Sequence, residues 1–469
     1  MNLKKFAAIV ALPALVAGGL ILTQPANAAA PGDINPGATG SITVHKHEEP
    51  SGTKGVAGDG QQKPVAPEKP LQGAMFSVQK ISGVDLTTRE GWENVNNVAT
   101  MLNAGVNPAL EGAPVTMTTG ADGIATFSGL AVGAYLVTET QTPAGALKAV
   151  NPFIVTVPNP NGADGGWNYN VHVYPKNSVS KKPVKELDDT TATKIGDNVK
   201  WTVTQTLPEL PAGVEFSKVS FSDTLVNNLR FVDGSLVVKV DGQGVDFTDI
   251  VAGQTITAEV DNPGNLRSGQ KVTYEFQTMI ATAGAIKNVA STTVETTNGG
   301  SSTDGTTPVD DPTVPTVIIG HINIQNYVAD SDNAPGGPVA LSGGVFEVYK
   351  GEDCAGGKID GLGDLTAGDN GKLAAAIALK EGKYGVKQVM APVGYVLNNG
   401  CIPVAVTTAN AADDPVFATV YNSKATVPAL PLTGAQGQVI LLAVGGVLVL
   451  VGLVAVVAVR CKRALVASK

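Results

Sequence analysis

An amine, a carboxylate and a carboxamide stand at matching places in three alternating segments of this chain. They are Lys46 in Gly40-Ser-Ile-Thr-Val-His-Lys46, Glu139 in Tyr135-Leu-Val-Thr-Glu139, and Asn177 in Val171-His-Val-Tyr-Pro-Lys-Asn177. In a β-strand alternate residues share a face, so Ile42, Val44 and Lys46 point one way. By the same count Tyr135, Val137 and Glu139 share a face, as do Val171, Val173 and Asn177. All three polar groups are therefore expected to point into an apolar interior. Burial of a lone charge is costly, and desolvation lowers a lysine pKa and raises a glutamate pKa. A neutral Lys46 amine beside Asn177 can attack the side-chain carbonyl carbon while protonated Glu139 polarises the oxygen and relays protons, with release of ammonia. Enforced proximity makes an otherwise slow amide exchange feasible. The alternative is an ordinary buried Lys46–Glu139 ion pair.

The elements that position these groups occur twice. Gly40 to Lys46 aligns with Gly320-His-Ile-Asn-Ile-Gln-Asn326, and Gly73-Ala-Met-Phe-Ser-Val-Gln-Lys80 with Gly343-Gly-Val-Phe-Glu-Val-Tyr-Lys350. Tyr135 to Gly145 aligns with Tyr384-Gly-Val-Lys-Gln388-Val-Met-Ala-Pro392-Val-Gly394, and the segment ending at Asn177 with Thr419-Val-Tyr-Asn422. Each segment alternates and is bounded by Gly, Pro, Asn or Asp, the signature of strands. Helical periodicity is confined to Thr88–Leu102, expected as an insertion between strands. An all-β architecture of sandwiches follows. Between the copies lie further strands, such as Val199-Lys-Trp-Thr-Val-Thr and Lys271-Val-Thr-Tyr-Glu-Phe, which make a middle sandwich; Thr297 to Pro315 reads as a linker or long edge loop. The expected modules span 29–177, 178–312 and 313–425. In the third, Asn326 stands where the first has Lys46 and Gln388 where it has Glu139. Asn422 is left without a nucleophile or proton shuttle, so no cross-link is expected there unless a shifted register recruits a neighbouring lysine.

The two ends carry addresses. Lys4 and Lys5, an apolar stretch from Phe6 to Leu22, and Ala26-Asn27-Ala28 form a secretory signal over residues 1–28. Residues 426–469 contain Leu430-Pro431-Leu432-Thr433-Gly434, an apolar run from Val439 to Val459 long enough to cross a bilayer, and the basic cluster Arg460-Cys461-Lys462-Arg463. The chain has 32 basic and 41 acidic side chains. Six of the basic ones lie in these two ends, so the part between is more acidic still and repels phosphate backbones, which excludes nucleic acid as a partner. In an exported chain Cys354 and Cys401 read as one disulfide. The histidines His45, His47, His172 and His321 have no evident nucleophile to serve, no HExxH or P-loop pattern occurs, and no cofactor is implied. His45 and His47 flank the inward Lys46 and are expected to face outward rather than to bind metal.

These residues carry a resemblance. The carboxyl end resembles the LPXTG cell-wall sorting signal of Gram-positive surface proteins, which implies that a sortase cuts after Thr433 and passes its carbonyl to an amine. The first module resembles the CnaB-type Ig-like domain of Gram-positive pilins. Tyr135, Glu139, Thr140, Pro143 and Gly145 match its E-box, YxLxETxxPxGY, whereas Val137 and Ala146 depart from it. The resemblance implies a spontaneous isopeptide bond between Lys46 and Asn177. The middle module resembles a CnaA-type domain, with Asp223 as the shuttle in Lys218-Val-Ser-Phe-Ser-Asp-Thr, Asn288 as the acceptor, and Lys185 as the lysine, although Lys181 and Lys182 compete. Trp167, Val171, Val173, Tyr174, Pro175 and Lys176 match the pilin motif WxxxVxVYPK of sortase-assembled major pilins, in which the lysine accepts the next subunit. The whole chain resembles a SpaA/FimA-type major pilin with CnaB, CnaA and CnaB modules. The partners so implied are a class C pilin sortase, identical subunits joined head to tail, minor tip and base pilins, a housekeeping sortase and peptidoglycan, with host surface receptors a further class. The competing reading is a monomeric wall-anchored adhesin. A wall-anchored enzyme is the weakest of the three.

Overall fold

The computed structural model describes residues 33–50, 58–63, 69–161, 166–330, 336–426 and 435–466. The chain divides into two compact units, one formed by residues 1–320 with 378–381 and 408–411, the other by 321–377, 382–407 and 412–469. Both are built from strands, as the alternating segments require.

The first unit opens with a sandwich. One sheet holds β1 (Thr39–His45), followed by the short β2 (His47–Glu48). The facing sheet holds β3 (Met75–Ile81), β4 (Leu110–Thr118), β6 (Gly133–Gln141) and β7 (Phe153–Val157) in the order β4-β3-β6-β7. Returning to the first sheet, β5 (Ile124–Ala131) pairs antiparallel with β1 and β8 (Asn170–Val173) pairs parallel with it. A second parallel pair joins β2 to β9 (Lys176–Asn177), with His47 opposite Lys176 and Glu48 opposite Asn177. Between the sheets pack Ile42, Val44, Phe76, Val78, Phe127, Val137, Val155 and Val171. Helix α1 (Arg89–Asn103) is inserted between β3 and β4. Thr88 caps it by accepting from the Gly91 amide, and it lays Val95, Val98 and Leu102 over Ile81, Ala134 and Leu136.

The middle of the chain forms a second sandwich in the same unit. Its first sheet joins β10 (Val184–Asp188), β11 (Asn198–Thr206), β18 (Lys271–Ile280), β14 (Val237–Val240) and β15 (Gln243–Gly244), with β13 (Leu229–Phe231) also on β18. Its second sheet runs β16 (Phe247–Ala252), β17 (Thr255–Val260), β12 (Phe216–Thr224), β20 (Ala290–Thr296) and β21 (Ser301–Gly305); β19 (Gly284–Lys287) lies just before β20. Strict alternation along β11 and β18 buries Val199, Trp201, Val203, Val272, Tyr274 and Phe276. The stretch from Thr297 to Pro315 is not simply a linker or loop. Its residues Ser301–Gly305 pair antiparallel with β20 as an edge strand, and the Ser, Thr and Asp content that reads as a loop suits an edge exposed to water on one side.

In the second unit β22 (Thr316–Val328) pairs parallel with β27 (Val416–Asn422) from Ile322 to Val328, the same first-to-last pairing as β1 with β8. Strands β23 (Val345–Lys350), β25 (Gly382–Met390) and β26 (Cys401–Val406) form a second sheet; β24 (Ile377–Lys380) precedes β25. Cys354 and Cys401 are joined in a disulfide with Cα atoms 5.8 Å apart. It closes a separation of 47 residues, so Cys354→Ser with Cys401→Ser is expected to cost this unit about 4 kcal/mol. Denaturant unfolding of the full chain should show one transition moved to lower denaturant and the others unchanged; an unshifted curve would contradict this.

Helix α2 (Ala435–Val466) contains Leu442–Arg460, 19 residues long and apolar enough by length and composition to cross a membrane. The signal segment 1–28 and the pentapeptide Leu430 to Gly434, with Thr433, lie outside the described residues.

Candidate functional site

The parallel pairing of first and last strands explains how residues so far apart in sequence meet. Lys46 leaves β1 on the inner face, Asn177 ends β9 beside it, and Glu139 comes from β6 of the opposite sheet, where Phe76 is its cross-strand neighbour. All three are buried, Lys46 completely, with its ammonium 5.5 Å from the centre of the Phe76 ring. Lys46 Nζ donates to Glu139 Oε2 at 3.2 Å, and Asn177 Nδ2 donates to the same oxygen at 3.3 Å. The backbone completes the cradle. Val150 N–H donates to Glu139 Oε2 at 2.7 Å, and Asn177 Nδ2 also donates to the Lys148 carbonyl at 2.6 Å. Burial pulls the Lys46 amine down to about 8, against the opposing pull of Glu139. Glu139 Oε1 and Asn177 Oδ1 are buried with no hydrogen-bond partner among the described residues.

The middle sandwich repeats the arrangement with different parts. Lys185 lies on β10 of one sheet and contacts Asp223 on β12 of the other, and Asn288 Nδ2 donates to the same Asp223 oxygen at 3.1 Å. Lys181 and Lys182 are exposed, whereas Lys185 is buried with its ammonium 4.9 Å from the Trp201 ring centre and 5.5 Å from that of Phe276. Burial lowers the Lys185 amine and raises the Asp223 carboxyl, so desolvation pushes both toward their neutral forms. Asp223 Oδ1 and Asn288 Oδ1 have no partner among the described residues, the same two atoms as in the first site.

In the second unit the equivalent place holds amides. Gln388 Nε2 donates to Asn422 Oδ1 at 3.1 Å and Asn422 Nδ2 returns a bond to Gln388 Oε1 at 2.6 Å; Asn326 Nδ2 donates to the Leu341 carbonyl. The backbone cradle persists. Asn398 N–H donates to Gln388 Oε1, and the Val396 carbonyl accepts from Asn422 Nδ2, as Val150 and Lys148 do in the first site. An amine and an acid have been replaced by neutral groups inside an unchanged frame.

The residues of the WxxxVxVYPK match surround the first strand. Val171 is buried in the core and Val173 packs at its margin, while Trp167 stacks on Trp92 of α1 with ring centres 5.5 Å apart. His45 and His47 do not face water as expected. Both are buried: His45 stacks on Tyr174, with ring centres 4.6 Å apart, and its Nε2 lies 2.9 Å from His172 Nδ1. The cause is a cover that strand periodicity cannot reveal. Pro70 pairs with His47, and residues 58–63 hold the two side chains that lie against His45, with Gly60 accepting from the His172 amide, the Lys63 amide donating to the Tyr174 hydroxyl, and the Lys63 ammonium over the Tyr174 ring. Burial and the neighbouring imidazole lower the pKa of His45, and burial lowers that of His172. Among the described residues no group of three or more His, Cys, Asp or Glu is placed to hold a metal. Lys176 is half-buried beside Asn177 rather than projecting freely, because its strand is flanked by β2.

Residues 37–178 match the model of the Gram-positive pilin subunit D1, N-terminal domain, and residues 335–418 that of a prealbumin-like fold domain. The chain is 31% identical to the fimbrial subunit type 2 of Actinomyces naeslundii, with 98% of this chain and 97% of that protein aligned. It is 37% identical to the fimbrial subunit type 1 of Actinomyces viscosus over 55% of this chain and 50% of that one. The full-length major pilin SpaD from Corynebacterium diphtheriae has a similar fold, with a TM-score of 0.65 at 22% identity over 84% of this chain and all of that one.

Proposed function

This chain belongs to the family of Gram-positive fimbrial subunits and is a shaft subunit of a surface pilus, and on that premise we propose that a class C sortase joins it covalently, head to tail, through Lys176 and Thr433. In this reading the enzyme cuts after Thr433 and the Lys176 amine takes the acyl group. A housekeeping sortase then fixes the finished polymer to peptidoglycan, and minor pilins cap and anchor it. Contacts that join unlike surfaces do not close, so repetition makes a filament. The observation that carries the reading is the adjacency of Lys176 and Asn177 on one short strand, the first half-buried and the second sealed in the core. In this reading the partly exposed residue serves the link to another molecule while its buried neighbour ties the strand down. The test is whether covalent multimers survive loss of Lys176.

We also propose that the chain forms two internal isopeptide bonds, Lys46 to Asn177 and Lys185 to Asn288, in the first two of three modules spanning 29–177, 178–312 and 313–425. In the first, Lys46 gives a proton to Glu139 and its neutral Nζ adds to Asn177 Cγ. Glu139 hydrogen-bonds the oxygen as charge builds on it, then supplies a proton to Nδ2 as the Cγ–Nδ2 bond breaks. The new amide nitrogen returns a proton to Glu139 and one ammonia leaves. Asp223 has the same role for Lys185 and Asn288. Each bond lowers the chain mass by about 17 Da, one ammonia. Shared donation to a single carboxylate oxygen supports this reading, since it holds amine and carboxamide together at one proton carrier.

The acid–base role has a pH signature. In the proposed step Lys46 supplies the proton that Glu139 relays, and with the lysine drawn down to about 8 that proton is lost as pH rises through that value. Above it an amine remains but no acid is left to polarise the amide. Formation of the Lys46–Asn177 bond in newly made chain should therefore slow by about tenfold per pH unit above 8. A rate that climbs with pH instead would show that the free amine suffices and that Glu139 is not the acid.

The second unit offers a gain of function. Asn326→Lys with Gln388→Glu restores the amine and acid within the retained cradle, and is expected to create a third bond to Asn422, lowering the mass by a further 17 Da or so. Persistence of the unmodified mass in a folded double variant would mean that the cradle is not sufficient.

A further inference from the structure

The loop that follows Glu139 faces two ways. On one side it builds the first site: the Lys148 carbonyl accepts from Asn177 Nδ2, the group that departs, and the Val150 amide donates to Glu139 Oε2. On the other side Leu147 is buried as a member of the hydrophobic core of the middle sandwich rather than of its own. Its backbone is held at both atoms. Leu147 N–H donates to the Ser178 carbonyl, and its own carbonyl accepts from the Ser301 amide at the start of β21.

The contacts around Leu147 are close-fitting. Gly145 has φ +76° and accepts from the Ser180 amide; a Cβ there would come within 2.9 Å of the Ser180 carbonyl oxygen. Gly300, in the turn between β20 and β21, is hemmed in: a Cβ on it would be 2.7 Å from Thr296 Oγ1 and 3.2 Å from the Leu147 Cβ. Lys148 Nζ donates to the Asn298 carbonyl in that same turn at 2.6 Å. The segment Gly145–Leu147 is thus clamped between the linker that leaves Asn177 and the turn Thr296–Gly300 of the middle sandwich.

We propose that Leu147 and Lys148 are positioning residues for the Lys46–Asn177 bond, and that docking of the middle sandwich onto Leu147 sets the carbonyl and amide that hold the reacting groups. The two adjacent modules are then coupled. The first bond closes only after the second sandwich has folded, so that the strand bearing Lys176 is locked when the rest of the unit is complete. This rests on the proposed isopeptide chemistry, and the test separates the two.

Pulse-labelled full chain is sampled over time, and the Lys46–Asn177 and Lys185–Asn288 cross-linked peptides are quantified by mass spectrometry. Leu147→Ala is expected to slow the first bond at least tenfold while the second forms at the wild-type rate, and Leu147→Met, which refills the socket, is expected to restore it. Gly300→Ala, which crowds Leu147 and Thr296 without removing core volume, should slow the first bond severalfold and decides the matter if Leu147→Ala abolishes both. Wild-type rates for the first bond in both alanine variants would overturn the proposal, as would equal slowing of the two bonds in Gly300→Ala. Absence of either bond from the wild-type chain would instead remove the chemistry on which it rests.

Discussion

Glu139→Ala is expected to leave the full chain about 17 Da heavier than the mass calculated for that variant with both bonds formed, with Lys46 and Asn177 unlinked and the Lys185–Asn288 bond intact. Two losses combine. The constraint on the unfolded chain disappears, worth roughly 4.7 kcal/mol for a loop on the order of 100 residues in the chain-entropy model. Lys46, wholly buried beside Phe76, is also left without its partner, and removing one member of a buried pair costs about 3–5 kcal/mol. With about 2–4 °C per kcal/mol for a domain of this size, calorimetry should show the first sandwich melting some 20 °C lower while the middle one is unmoved. Glu139→Gln keeps the volume and hydrogen bonds but cannot carry the proton, so it too should lack the bond and show a smaller fall in melting temperature. A variant short of its own calculated mass by as much as the wild type is short of its own would mean that the first site holds no bond that depends on Glu139.

Much of this site was legible because strand periodicity is a strong signal where one face is buried. The inward direction of Lys46, Glu139 and Asn177, and of Val219, Phe221 and Asp223, follows from counting by two, and each of these residues is buried. The helix expected over Thr88–Leu102 begins at Arg89 with Thr88 as its cap and ends at Asn103. What could not be read has a common cause: backbone groups and covers leave no side-chain pattern. The Lys148 carbonyl and Val150 amide that complete the cradle are such groups, and only Gly145 in the E-box match hints that the chain turns sharply there. The burial of His45 and His47 involves His172 and Tyr174 packed on the first and Pro70 paired with the second, neighbours that alternation within β1 does not encode. The edge strand Ser301–Gly305 was obscured by a composition that suits loops and exposed edges alike. Similarly, Leu147 carries an apolar side chain in a loop, and nothing local tells that the core receiving it belongs to the next sandwich.

The second unit keeps the strand pairing of the first sandwich without its buried amine and acid. Gln388 and Asn422 exchange two hydrogen bonds where the first sandwich holds a carboxylate and its donors, and the parallel pairing of first and last strands is kept. A neutral amide pair satisfies its own polar atoms without charge, so it stabilises the core modestly, and it offers neither the amine nor the acid that the proposed cross-link needs. The Cys354–Cys401 disulfide gives this unit a covalent tie of another kind. Under tension along a pilus, cross-linked strands would resist peeling that hydrogen bonds alone would permit one at a time. That difference follows from bond type rather than from fold.

Lys176→Ala should abolish the polymer outright, because the acceptor amine is removed while Asn177, one residue away, keeps its place in the core. Lys176→Arg should behave the same way, since a guanidinium retains the charge but is not a nucleophile at neutral pH. The most direct measurement is an immunoblot of boiled, wall-digested extracts from cells that express the native chain or Lys176→Ala. The account predicts a high-mass ladder from the native chain that collapses to monomer in the variant, with the monomer still cross-linked internally by mass. A single monomer band from both, with protein still held on the wall, would contradict it and point to a subunit that is anchored singly.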